Sequence, residues 1–115
     1  MKAILIDSKN KTITEVQHDG TNENIYKLCG YEQFDCCDIG NRDAIFVDGE
    51  GLFKKDQTFF IHKDYPQPLA GNGLILGCNS DGESTAPKTT LAEVKAKVKF
   101  MSLLQAYLLA REQGV

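Results

Sequence analysis

The residues of this 115-residue chain that could bind a small ligand begin with a glycine loop and an aromatic next to prolines. Gly71-Asn72-Gly73 precedes an apolar strand, and glycines let a backbone approach a phosphate closely. Tyr65 and the rigid Pro66-Gln67-Pro68 segment come just before this loop and could line a shallow pocket. Neither Gly-x-Gly-x-x-Gly nor Gly-Lys-Ser/Thr occurs, and a strand rather than a helix is expected next. A plain turn therefore remains the alternative to a ligand-binding loop.

Carboxylates are the second candidate group. Asp48, Glu50 and the more distant Asp56 lie around the tight-turn signal Asp48-Gly49-Glu50-Gly51. Paired carboxylates can perform acid–base chemistry or hold Mg²⁺, whereas turns also collect acidic residues for local hydrogen bonds. The ligand-binding candidates are therefore Tyr65, Gly71, Asn72, Gly73, Asp48 and Glu50.

Thiol and imidazole chemistry rests on four cysteines, at positions 29, 36, 37 and 78, and on two histidines. Cys36 and Cys37 are neighbours and so point to opposite faces of any strand, and no Cys-x-x-Cys pair occurs. His18 and His62 lie far apart, so neither a metal site nor a cofactor is expected. A Cys/His enzyme would need a thiol beside His62, which the spacing does not establish. The prediction is reduced, mostly buried thiols and no catalytic residue.

Composition limits the classes of function. With 42% hydrophobic and 25% charged residues, the chain is typical of one soluble domain over residues 1–115. The 13 Lys and Arg against 16 Asp and Glu give a net charge of −3, too small to favour nucleic-acid binding. Neither an apolar run of 18 residues nor a secretory signal occurs, so we expect no membrane insertion and a cytoplasmic location.

The charge is unevenly distributed. Residues 1–87 carry 8 basic and 14 acidic groups, a net charge of −6, and residues 88–115 carry 5 basic and 2 acidic groups, a net charge of +3. This difference predicts an acidic body with a basic C-terminal part packed on it.

The periodicity predicts an α+β fold: a curved, mainly antiparallel sheet of about five or six strands, one short helix and a long C-terminal helix. Residues 1–87 form the sheet-rich body, with a hairpin at 2–17, an edge strand from Phe34 and a hairpin from 44–47 to 52–53. The short helix is capped by Thr21 or Asn22 and ends at Gly30.

The C-terminal helix is expected over residues 90–113, because Thr90 and Glu93 form a capping-box pattern and Gly114 can end it. Its second half is apolar on more sides than one covered face requires. The surplus residues, which would lose hydrophobic free energy in water, are Phe100, Leu103, Leu104 and Tyr107. A groove of the same chain or a second copy could cover them, and we predict a homo-oligomer, with a dimer favoured.

Four segments carry a resemblance to a known family. They are Met1-Lys2-Ala3-Ile4-Leu5-Ile6, Ile25-Tyr26-Lys27-Leu28-Cys29-Gly30, Val47-Asp48-Gly49-Glu50-Gly51-Leu52 and Leu69-Ala70-Gly71-Asn72-Gly73-Leu74-Ile75-Leu76-Gly77. Their order resembles domain-of-unknown-function family 3846, found in bacteria, plasmids and phages. The turn Asp-Gly-Glu-Gly and the apolar segment after Phe100 depart from the family pattern. The resemblance implies a mobile-element accessory protein without an assigned activity or catalytic residues.

Taken together, these features favour a non-enzymatic binding or accessory protein of phage or mobile-element type that acts through protein–protein contacts, with a host protein as a candidate partner. The alternative is a protein that binds or sequesters a nucleotide-like small molecule through Tyr65–Gly73.

Overall fold

The computed structural model describes residues 1–30, 33–49, 57–102, 104, 105 and 108. The strands within these residues are β1 (Lys2–Asp7), β2 (Thr12–Gln17), β3 (Phe34–Gly40), β4 (Asp43–Asp48), β5 (Phe59–His62), β6 (Leu69–Ala70), β7 (Gly73–Cys78), β8 (Ser84–Thr85) and β9 (Val98–Met101). The helices are α1 (Asn22–Cys29), between β2 and β3, and α2 (Leu91–Lys97), between β8 and β9.

The main sheet has six antiparallel strands in the order β2-β1-β7-β4-β3, with β8 pairing with the end of β7. The N-terminal hairpin is confirmed, with register from Lys2↔Gln17 to Asp7↔Thr12. β7 lies at the centre, where Ile75 pairs with Ile4 of β1 and Ile45 of β4. β3 lies at the edge of the sheet, as its mixed polarity predicts.

Both faces of the main sheet are covered, because successive side chains of a strand point to opposite sides. One face packs against β5, β6, α2 and β9 in a core of Ile4, Ile6, Cys37, Ile45, Val47, Phe60, Leu69, Ile75, Val94 and Val98. The other face packs against α1 in a core of Ala3, Ile25, Cys29, Leu74 and Leu76. The apolar runs of β1, β4 and β7 are continuous because these strands contribute to both cores.

The short helix α1 has the predicted ends. The Thr21 side chain accepts a hydrogen bond from the backbone N–H of Asn24, at 3.2 Å. Gly30 ends the helix in the left-handed conformation with φ of 79°, which glycine adopts without a steric penalty. This part of the fold prediction is confirmed.

The prediction of a long C-terminal helix was wrong. The capping box of Thr90 and Glu93 is present, but α2 has 7 residues and ends at Lys97. Val98–Met101 then form β9, which pairs with β5 through His62↔Val98 and Phe60↔Phe100. These β-branched and aromatic residues alternate with Lys99, a pattern that suits a half-buried strand as well as a helix.

The order β6-β5-β9 makes a second, three-stranded sheet. The α+β class and the mainly antiparallel sheet of five or six strands are confirmed, whereas the sequence patterns did not predict this second sheet. The expected partner strand at 52–53 lies outside the described residues, and a single domain over 1–115 stays a prediction.

Candidate functional site

The Gly71–Gly73 loop is held by hydrogen bonds inside the molecule. Gly71 has a φ of 79°, and its N–H donates to the Thr58 carbonyl at 2.8 Å. The buried Ser8 hydroxyl donates to the Gly71 carbonyl at 2.5 Å. Asn72 accepts from the Ser8 N–H at 3.1 Å and donates to the Cys29 carbonyl at 3.4 Å. The polar groups of the loop therefore join β1, α1 and β5 to β7.

Gly73 is a position of close packing. A Cβ atom there would lie 2.8 Å from Ile45 Cγ2 and 2.9 Å from Phe60 Cζ. These distances are too short for any side chain, so glycine lets the two sheets approach each other. The hydrogen bonds shown for Gly71 and for the Asn72 side chain are all made inside the molecule, which favours a structural turn over a ligand-binding loop.

Tyr65 and Asp48 lie at different places relative to this loop. Tyr65 is half-buried against the core beneath β5, and its hydrogen bond with the Cys37 thiol raises the pKa of Tyr65. Asp48 ends β4 one residue after Val47, which pairs with Gly73, so it lies at the loop end of the sheet. Glu50 lies outside the described residues. The structure thus brings Asp48 near the glycine loop and packs Tyr65, half-buried, against the core.

The four cysteines, all within the described residues, form no disulfide. Cys29 and Cys37 are buried, whereas Cys36 and Cys78 are exposed, so half of the thiols are buried where most were expected to be. Burial raises the pKa of both the Cys36 and the Cys37 thiol. Since the thiolate is the nucleophile, this environment does not activate either residue. Within the described residues, no group of three or more His, Cys, Asp and Glu side chains could hold a metal ion.

An open groove of about 490 Å³ lies on the part of the main sheet next to Cys36 and Cys78. Its floor includes Phe46 and Leu76, from the face of the sheet that α1 covers farther along. Within the described residues, no buried polar side-chain atom that lines this groove lacks a hydrogen-bond partner.

A smaller polar pocket of about 270 Å³ lies where the β3–β4 turn, the segment before α2 and the end of β5 meet. The backbone of the turn is unusual, since Asn41 and Arg42 both have left-handed φ angles, of 56° and 61°. The charged and ionisable side chains that line the pocket are Asp43, His62, Asp64, Lys88, Glu93 and Lys97. Sequence reasoning missed this cluster, because its members come from four segments with no local motif.

His62 is the unusual member of the polar pocket. It is 1% exposed, and its Nε2 has no hydrogen-bond partner among the described residues. Its Nδ1 accepts a hydrogen bond from the Asp64 N–H at 3.1 Å, which places the proton of the neutral ring on Nε2. Burial lowers the pKa of His62, opposed by Asp64 and assisted by Lys97. The buried Nε2–H of His62 therefore has no acceptor among the described residues.

The predicted interface residues are divided between core and surface. Phe100 is half-buried against the chain's own core. Leu104 is 66% exposed and Leu108 is 48% exposed. Leu103 and Tyr107 lie outside the described residues. The structure therefore separates Phe100 from the exposed leucines that follow β9.

A comparison with known protein families identifies the family of this chain. The family described as Domain of unknown function (DUF3846) matches residues 1–99, most of the chain. The chain belongs to the DUF3846 family. No significant match was found among curated proteins or among solved structures.

The residues matched by the DUF3846 family include some of the candidate sites but not the exposed leucines. The matched segment contains the glycine loop, the apolar groove and the whole polar pocket, up to Lys97. Phe100, Leu104 and Leu108 follow it. Among the described residues, no helix has the length and apolar character needed to cross a bilayer.

Proposed function

We propose that this DUF3846 protein is a non-enzymatic binding protein that acts through protein–protein contacts and self-associates, with a dimer favoured. The observation that carries the proposal is the exposure of Leu104 and Leu108, at 66% and 48%. Its origin in a phage or mobile element, a cytoplasmic location and a host protein as the further partner belong to the same proposal, on the strength of the resemblance alone.

The exposed leucines follow β9, and both are helical, as is Gln105. The Ser102 N–H donates to Gln105 Oε1 at 2.9 Å, and the Gln105 N–H donates to Ser102 Oγ at 3.2 Å, the reciprocal pattern of a capping box. Leu104 and Leu108 are both helical and are four residues apart in the sequence, the spacing of neighbours on one face of a helix. Covering each leucine would gain about 1.5–3 kcal/mol, which favours a partner on this face.

The segment that carries the leucines favours a second copy as that partner. Residues 102–115 contain one basic and one acidic residue, Arg111 and Glu112, and so carry no net charge. Two copies of this apolar segment can therefore meet without charge repulsion. The predicted neighbours Leu103 and Tyr107 supply further apolar side chains to this segment in the sequence.

The experiment is light scattering with native mass spectrometry at tens of micromolar protein. We expect a dimer for the unaltered chain and a monomer for the double variant Leu104→Ser with Leu108→Ser. The matched control is Ala92→Ser with Ala96→Ser, which alters two exposed positions four residues apart on α2 and should keep the dimer. A 12.8 kDa monomer for the unaltered chain would overturn self-association.

A further inference from the structure

The strand β2 forms one outer edge of the main sheet, and within the described residues no strand pairs with its free side. Its register with β1 is regular along the whole strand, from Lys2↔Gln17 to Asp7↔Thr12. Edge strands expose unpaired backbone N–H and C=O groups, which are a template for pairing with another chain. This edge is therefore a candidate contact surface.

Two hydrogen bonds show which backbone groups of β2 point outward. The Met1 ammonium donates to the His18 carbonyl at 2.7 Å, and the His18 N–H donates to the Met1 carbonyl at 2.8 Å, so these residues are a hydrogen-bonded pair. Because such pairs alternate with non-hydrogen-bonded pairs along an antiparallel ladder, every second residue of β2 directs its backbone groups away from β1. The outward residues are Ile13, Glu15 and Gln17.

The opposite edge of the sheet, β3, is protected against such pairing. It carries Asp35 and Asp38, and its register shifts between Asp38 and Gly40. Charged residues and irregularities of this kind keep edge strands of different molecules apart. By contrast, β2 has a regular register, no Lys, Pro or Gly, and a single charged residue, Glu15, with the Lys2 ammonium 3.8 Å away. The difference favours pairing at the β2 edge.

We infer that the free edge of β2 pairs with β2 of a second copy, antiparallel and around a two-fold axis. In such a pair one residue faces its own counterpart on the axis. Glu15 does not suit that position, because like charges directly opposite each other are destabilising. With Thr14 on the axis, residues 12–16 of the two copies lie opposite one another, and Ile13 of each copy pairs with Glu15 of the other. Registers centred farther along β2 in either direction pair fewer of its residues.

This contact is separate from the one proposed through Leu104 and Leu108. A few main-chain hydrogen bonds between two short strands form a small interface, so we expect it only above the tens of micromolar at which the leucine contact is measured. It then joins either single chains or leucine-linked dimers.

Cysteine crosslinking tests the register. In a background without the exposed thiols, Cys36→Ser with Cys78→Ser, the variant Thr14→Cys places two thiols on the axis. The Cα atoms of a non-hydrogen-bonded pair are about 4.5 Å apart, a distance that a disulfide can span. Thr12→Cys is the matched control, because Thr12 is an exposed threonine on the same face of β2 that lies opposite Val16 of the second copy.

The crosslinking is measured in a glutathione redox buffer at several hundred micromolar protein. We expect at least about fivefold more disulfide-linked dimer for Thr14→Cys than for Thr12→Cys, because only the axial thiols meet in bonding geometry. Equal crosslinking at both positions would reveal random collision and overturn the register. The absence of crosslinking at Thr14 would exclude a second copy, in favour of another extended segment at this edge.

The same measurement in the double variant Leu104→Ser with Leu108→Ser separates the two contacts. The Thr14→Cys crosslink should persist there, and its loss would overturn an independent contact at β2. If the chain without leucine substitutions is a monomer at tens of micromolar and still crosslinks at higher concentration, the β2 contact is supported and the leucine contact is not.

Glu15→Pro tests the main-chain bonds in a chain with its natural cysteines. Proline lacks the outward N–H of this position, and edge strands tolerate it where that N–H faces solvent. In the unaltered chain we expect the Ile13 amide signal to shift with protein concentration in NMR, and the shift to be strongly reduced in Glu15→Pro. Glu15→Gln keeps the N–H and is the control. An equal shift in the proline variant would refute the pairing, and the crosslinking test does not depend on the folding of this variant.

Discussion

At the scale of single residues, His62 shows what the sequence could not predict. A lone histidine after an apolar run gives no sign of whether its ring faces water, a carboxylate or the core. The structure buries it at the end of β5, opposite Val98 of β9, with the Asp64 N–H on one nitrogen and no described partner on the other. The sequence-based candidates Gly71 and Asn72, by contrast, form hydrogen bonds inside the molecule. Gly71 bonds Thr58, just before β5, and Asn72 bonds Ser8, just after β1.

The same residue should make stability depend on pH. Burial lowers the pKa of His62 in the folded state, with Asp64 opposing and Lys97 assisting the shift, whereas the unfolded ring titrates near 6.5. Above 6.5 both states are neutral at this residue. As the pH falls below 6.5, the unfolded state takes up the proton first, so stability is lost until the folded pKa is reached. His62→Phe, which cannot titrate, should therefore lose less stability between about pH 7.5 and 5.

Urea unfolding at several pH values measures this effect. The comparison uses the change of the free energy of unfolding with pH in each chain, not its absolute value, because His62→Phe also alters packing. Identical pH dependence in the two chains would show that the ring titrates alike in both states.

Among the secondary-structure elements, tertiary contacts determine that the residues after Lys97 form a strand rather than a helix. Residues 94–101 have apolar side chains at helical spacing and also a strand-like alternation from Val98 to Met101. Pairing with β5 satisfies the backbone of these residues and buries Val98, which selects the strand. Local signals sufficed where caps were present, at Thr21, Gly30 and Thr90. A strand that needs a distant partner has no such signal.

A substitution at Gly73 tests whether the close approach of the two sheets requires glycine. In Gly73→Ala the new Cβ would lie 2.8 Å from Ile45 Cγ2 and 2.9 Å from Phe60 Cζ, so the sheets must separate. We expect a loss of about 1–3 kcal/mol in the free energy of unfolding, the usual cost of overpacking a core. Gly49→Ala is the matched control, because its Cβ would meet only the Asp35 carboxyl group, at 3.6 Å, and should change stability by about 0.5 kcal/mol or less. Equal losses in both variants would contradict the packing argument.

At the scale of the whole molecule, the described chain has two parts. The main sheet, α1, the second sheet and α2 bury one another, and every residue of their cores precedes Ser102. The exposed leucines follow, beyond the DUF3846 match. The sequence predicted a surplus of apolar residues at this end. Of those residues, the structure describes Leu104 as exposed and Phe100 as half-buried against the core, because β9 was not recognisable from the sequence.

A pair of truncated chains tests this division. A chain of residues 1–102 keeps β9 and all three clusters, including Met101 against Phe59, and should unfold cooperatively with native-like circular dichroism. A chain of residues 1–97 lacks β9, which leaves one edge of β5 unpaired and removes Val98 from the core, so it should be largely unfolded. If the leucines mediate self-association, the 1–102 chain is also a monomer in light scattering while the unaltered chain is a dimer. Cooperative unfolding of both truncated chains would show that β9 is dispensable, and a dimeric 1–102 chain would place the contact between copies on the folded body instead.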